Sequence, residues 1–419
     1  MVDVWLPYGN TEVCLRIPTE NFLGTVEQKE KSGVQDPRIE IERAISEPLG
    51  TKKLVETIKP GDRVSIVLKD LDTSVDHIVS ALLKELTGVG VRREDINLIF
   101  TYDPLYLSSS KERKLPLDNE FYEGVRRIVH DFNAGDHIYA GKTSFGTEVY
   151  LNKIFAEADV KILAGIIEPH PYAGYSGGRD GVMPGVSSMK TIQQALSRAL
   201  HPKARRGTLD GNPIHEDMME AAKFAEVDFA LNIVRNSKRE VVKALSGDVS
   251  QVFESGVKLL DEMCKVYIER SANVVFISPG GAPYDSCLYE ACKVIDSALE
   301  AIRSKGVIVL VAECIDGYGD NEFYEWMKKI KDFKGIERVL KENFTVGGYG
   351  AYLLMRALEK AKVILVSVLP DYYTYDVFKL KPAKTVNEAL RDALDTVGRK
   401  EKVLTIPYGN VAMPVVKLE

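Results

Sequence analysis

A strand, a helix and a second strand follow one another between Arg63 and Thr101, and that order dictates a parallel sheet. Arg63–Leu68 is an apolar, strand-length run introduced by the turn Pro60-Gly61-Asp62. Ile78, Leu82, Leu83 and Leu86 then recur at helical spacing, and Ile96–Thr101 is strand-like again. Strand, helix, strand at this spacing is a βαβ unit. The alternation continues through the strands Val160–Ile167 and Val227–Val234 and a long helix over Val249–Arg270. Shorter helices are expected earlier, over Ile39–Glu47 and Thr51–Ile58. After residue 270 come the strands Asn273–Ser278, Val307–Glu313 and Val363–Leu369, with helices over Leu288–Lys305 and Ala351–Ala361.

A chain of 419 residues is too long for one ordinary domain. The expected fold class is α/β, with two domains, each a mostly parallel sheet flanked by helices. The boundaries are placed at 1–270 for the N-terminal domain, 271–400 for the C-terminal domain, and 401–419 for a tail strand returning to the N-terminal domain. Residues 1–20 read as a β-hairpin turning at Pro7-Tyr8-Gly9-Asn10, and Pro407-Tyr408-Gly409-Asn410 echoes that turn near the other end.

Composition narrows the function classes. The net charge of −6 and the absence of a basic run argue against a nucleic-acid surface. No apolar run approaches the roughly 20 residues that span a bilayer, and the start shows no signal peptide, so a cytoplasmic protein is expected. The five cysteines form no CxxC and read as reduced and buried. P-loop, GxGxxG, HExxH and GxSxG patterns are all absent.

The stretch most suited to chemistry is Glu168-Pro169-His170, followed by Gly174-Tyr175-Ser176-Gly177-Gly178-Arg179-Asp180. It lies between a strand and a helix that Ser187 or Ser188 can cap, the usual place for ligands in an open α/β sheet. Glycines allow close approach to the backbone, and free N–H groups there suit an anion. Ser176, Gly177, Gly178 and Arg179 are therefore cofactor-binding candidates, and His170 is an acid/base candidate. A tight turn holding a hydrogen-bonded His is the competing structural reading.

A second Gly-rich loop, Ser278–Pro283, leads into Tyr289, Glu290 and Lys293. Glu290 and Lys293 share a helix face, which an ordinary surface ion pair would also explain. Asp70 and Asp72 stand just beyond the strand Arg63–Leu68, where helix capping by Thr73 or Ser74 competes with function. His130, His137 and His215 read as structural.

Together these landmarks resemble the nickel-dependent lactate racemase family along nearly the whole chain. Leu6-Pro7-Tyr8-Gly9, Lys59-Pro60-Gly61-Asp62, Thr143–Thr147, the His170 to Arg179 stretch, Gly211-Asn212-Pro213 and Ser278-Pro279-Gly280-Gly281 occur in the family's order and spacing. The resemblance implies interconversion of the stereoisomers of a small anionic 2-hydroxy acid. It implies a nickel-pincer nucleotide joined to a Lys as a thioamide, with a His on the metal. It makes His170 an acid/base group and Lys293 a substrate-holding group. Tyr289, Glu290, Asp70 and Asp72 fall at or beside the substrate-binding positions.

The chain departs from that pattern where the cofactor should be held. Asp180 stands at the attaching Lys, so the site set becomes His170, Arg179, Asp180 and Lys293. The nickel-ligating His falls at Ala195 or Leu196, leaving His201 as the substitute metal ligand and Lys190 as an alternative attachment point. No His lies within Thr101-Tyr102-Asp103-Pro104, where a second acid/base His would fall, and Glu290 replaces a Gln. Three expectations follow. One is an isomerase whose cofactor is held in another way. Another is a non-redox protein that binds or senses small acids. The third is an acid/base or metal-dependent enzyme of different chemistry.

Overall fold

The computed structural model describes residues 1–69, 75–102, 122–330 and 332–417. Asp70, Asp72, Thr73, Ser74, Asp103 and Pro104 lie outside the described residues. The chain forms two compact α/β units, one from residues 30–102 and 122–262, the other from residues 1–29 and 263–417.

The N-terminal unit is built on a six-stranded sheet in the order Val241–Gly247, Phe229–Arg235, Val160–Ile166, Val64–Lys69, Ile96–Thr101, Arg126–Val129. All neighbours are parallel except the first pair. Val64–Lys69 is buried at every position, as a central strand covered on both faces must be. Ser188 caps the helix Met189–Leu196 by accepting from the Thr191 amide, as its position suggests. Asn212 caps Pro213–Phe224 in the same way, with Pro at the first turn.

His130 shows what a buried structural His looks like here. Its Nε2 faces the Ser187 carbonyl at 2.9 Å and its Nδ1 faces the Asn152 amide nitrogen at 3.2 Å. Burial lowers its pKa from 6.5 to about 4, so the folded chain holds it neutral. Between those two values the unfolded chain takes up a proton that the folded chain refuses, and stability falls as pH drops. At roughly 1.4 kcal/mol per unit, the loss reaches about 3 kcal/mol by pH 4. Urea melts at pH 7 and pH 4.5 should show this loss, and His130→Asn should flatten the dependence.

The C-terminal unit carries six parallel strands in the order Lys381–Ala383, Lys362–Val366, Ile302–Val311, Ala272–Ile277, Val403–Ile406, Phe22–Thr25. This corrects the expected boundaries. The tail strand joins the C-terminal sheet, and it brings the first 29 residues with it. Val403–Ile406 is buried along its whole length and needs a partner on each side, which Ala272–Ile277 and Phe22–Thr25 supply.

The long helix also stops earlier, at Cys264. Lys265–Ile268, rich in β-branched and aromatic residues, forms a strand beside Met413–Val416. The two Pro-Tyr-Gly-Asn turns share one seat. Ser278 Oγ donates to the Pro7 carbonyl at 2.6 Å, and the Gly409 and Asn410 amides donate to the Ser278 and Pro279 carbonyls at 2.8 and 3.3 Å.

Candidate active site

In the N-terminal sheet, chain order reverses between Val64–Lys69 and Val160–Ile166. The carboxyl ends of two strands at such a reversal are where open α/β sheets place their ligands. The Gly-rich stretch leaves the second strand and Lys69 ends the first. They meet in a buried ion pair: Lys69 Nζ lies 3.2 Å from Asp180 Oδ2, with the two side chains 3% and 6% exposed. Sequence reasoning missed Lys69. Its one signal was a charged residue closing an otherwise apolar strand.

The loop is held by its own polar groups. Pro169–His170 pairs antiparallel with Gly174–Tyr175 in a small hairpin. Gly174 has φ +80°, and a Cβ there would stand 2.3 Å from the Thr208 carbonyl oxygen, so only glycine fits. Ser176 Oγ accepts from the Glu168 amide at 3.0 Å and donates to the Ile166 carbonyl at 2.9 Å. The Gly178 amide donates to Asn232 Oδ1 at 3.1 Å, and Gly177 packs on Ile167. Ser176, Gly177 and Gly178 thus serve the loop itself, a role the sequence reading gave to a ligand.

Arg179 likewise turns inward. It is fully buried, donating to the Gly177 and Ala173 carbonyls at 3.1 and 3.0 Å, with its guanidinium 3.8 Å over the Phe253 ring. Among the described residues no carboxylate pairs with it. Burial lowers its pKa to about 10. His215 stacks on the same Phe253 ring, and burial, with the Arg179 charge second, lowers its pKa to about 3. Arg179 is a structural cation that fastens both sides of the loop.

His170 is 4% exposed on the hairpin, edge-on to Tyr172. The Ala173 amide donates to its Nδ1 at 3.3 Å. With Nδ1 accepting, the neutral ring carries its proton on Nε2.

In the C-terminal unit, Lys293 caps the short helix Leu288–Cys292, and its Nζ lies 2.7 Å from Glu290 Oε2. Both side chains are about nine-tenths buried, which corrects the surface-pair reading. Tyr289 is buried too. Its ring packs beneath the Lys293 amine and its hydroxyl donates to the Val346 carbonyl at 3.3 Å.

The expected metal ligand stands apart from other candidate ligands. His201 is exposed beyond the turn Ser197–Leu200, with its Nδ1 accepting from the Lys203 amide. Ala195 and Leu196 face the core. Lys190 lies on the surface, paired with Glu148 at 2.7 Å. Among the described residues no three His, Cys, Asp or Glu side chains are placed to hold a metal ion.

Residues 8–207 match the lactate racemase N-terminal domain, and residues 268–414 match the lactate racemase C-terminal domain. The chain belongs to the lactate racemase family. It is 30% identical to the lactate racemase of Thermoanaerobacterium thermosaccharolyticum, over 98% of both chains. It is 29% identical to that of Lactiplantibacillus plantarum, over 98% of this chain and 99% of the other. The apoprotein structure of the former superposes with a TM-score of 0.87 at 28% identity, covering 100% of both chains. A crystal structure of a Thermotoga maritima protein, at 18% identity and a TM-score of 0.66, shares the fold over 93% of this chain.

Within this racemase-family site, the tethered nickel nucleotide implied by the sequence resemblance does not fit the residues present. Position 180 is a carboxylate locked to Lys69, and a carboxylate cannot form a thioamide. Ala195 and Leu196, where the resemblance puts the nickel-ligating His, carry no side-chain donor for a metal. No helix is long and apolar enough to cross a membrane among the described residues.

Proposed function

We propose that this protein is an atypical 2-hydroxy-acid racemase or epimerase that works without a nucleotide tethered at position 180. The observation that carries this reading is His170, buried on its hairpin at the carboxyl end of the N-terminal sheet. Interconverting two enantiomers requires the hydrogen on the stereogenic carbon to leave and return on the opposite face, as a hydride to and from an acceptor held by contacts alone, while the hydroxyl proton is removed and given back; His170 is the residue suited to that proton. Its neutral ring donates at Nε2 to a hydroxyl or carboxylate oxygen. Taking a proton there requires the ring proton to sit on Nδ1, which the Ala173 amide opposes.

One observation favours a second reading. The Lys69–Asp180 ion pair occupies position 180, where the resemblance puts the tether, which suits a protein that binds small acids without redox chemistry. Chiral chromatography after incubation with single enantiomers of lactate and longer hydroxy acids separates the two. The racemase reading expects conversion, reduced 100-fold or more in His170→Gln. A thermal shift with these acids but no conversion supports the binding reading. Neither conversion nor shift contradicts both.

A further inference from the structure

The carboxyl end of the C-terminal sheet holds acidic side chains that the proposed reaction does not use. Asp285 lies in the loop after Ala272–Ile277 and is fully buried. Its Oδ2 accepts from the amides of Gly9 at 2.7 Å and Glu313 at 3.1 Å. Its Oδ1 is buried with no hydrogen-bond partner among the described residues. Glu313 follows the adjacent strand Ile302–Val311, and its carboxylate lies over Gly9, where a Cβ would stand 2.2 Å from Oε2. That side chain also has no hydrogen bond or ion pair among the described residues. The two carboxylates thus bracket one glycine at the tip of the N-terminal hairpin.

Among the described residues neither carboxylate has an ion pair with Lys, Arg or His. Burial, then the negative charges of the Glu313 and Asp285 carboxylates, push the neighbouring Tyr8 phenol up to about 12. Burial also pushes the Cys292 and Cys314 thiols up, so they stay protonated and poor as metal ligands. A buried carboxylate with an orphan oxygen is stabilised by a counter-charge, and its unpaired state is costly. The donors on offer are oxygens: Asp285 Oδ1, the Glu313 carboxylate and the nearby Tyr8 hydroxyl. Oxygen donors select a hard cation, which backbone carbonyls and water can complete.

We propose that Asp285 and Glu313 bind a hard divalent cation, Mg²⁺ or Ca²⁺, which clamps the hairpin tip onto the carboxyl end of the C-terminal sheet. The tip is already seated there, since the Ala282 amide donates to the Gly9 carbonyl at 2.9 Å. The cation binds independently of any hydroxy acid.

The test uses the full chain, with titration calorimetry and thermal melts in Mg²⁺ or Ca²⁺ alone. The wild type is expected to take up one cation per chain and to melt higher with millimolar cation. Glu313→Gln, a partly buried position, should bind at least ten-fold more weakly and lose the shift. Without cation it should melt no lower than the wild type, because it removes a like charge beside Asp285. That baseline separates lost binding from general damage. Absence of uptake and shift with both cations in the wild type, or an undiminished shift in Glu313→Gln, overturns the assignment.

Discussion

Asp180→Ala should destabilise the chain by roughly 3–5 kcal/mol, because it strips the carboxylate from a buried ammonium. The amine concerned is Lys69, 3.2 Å away and 3% exposed. Lys69→Met should lose a similar amount by leaving Asp180 buried without that counter-charge. The double change Lys69→Met with Asp180→Leu should recover most of the loss, since a buried ion pair replaced by apolar groups of similar volume is often neutral or better. Strong non-additivity is therefore expected in the double-mutant cycle, measured by urea unfolding at pH 7. Simple additivity of the two single losses would mean that the residues do not act as a pair. The result bears on function because position 180 is where the family pattern has its attaching Lys. A strong coupling means that Asp180 serves the structure through Lys69.

The parts of this account that were legible in the sequence rest on local rules. Val160–Ile166 is an apolar run, and the N-caps Ser188 and Asn212 precede their helices directly. The turn at Gly9 is declared by its own residues. What could not be read depends on partners distant along the chain. Nothing in Val403–Ile406 says which sheet it will enter, and the choice is made by two strands far from it in sequence. Glu290 and Lys293 are visibly one turn apart, but their burial comes from surrounding packing.

The site shows the same division. His170 and the Gly-rich loop were recognisable from residue types in order. The inward roles of Arg179, Ser176 and Gly178 were not, because the same donors that suit a ligand also satisfy neighbouring carbonyls and Asn232. Lys69 pairs across two loops, and no spacing rule points from it to Asp180. His201 stands in solvent beyond the turn Ser197–Leu200, an exposure that residue spacing does not announce.

The central claim is that this racemase-family site operates with no nucleotide bonded to the chain. Production in cells that make the nickel-pincer nucleotide, followed by denaturing intact-mass spectrometry and peptide mapping, tests it most directly. A thioamide survives denaturation because it is covalent, whereas a nucleotide held only by contacts is lost. The account predicts the unmodified chain mass, with the peptides holding Lys69, Asp180 and Lys190 all unmodified. Lys69→Met combined with Asp180→Lys, which avoids two buried ammonium groups side by side, serves as the positive control for attachment at the family position. A nucleotide-sized mass increment on any residue of the wild-type chain would contradict the account.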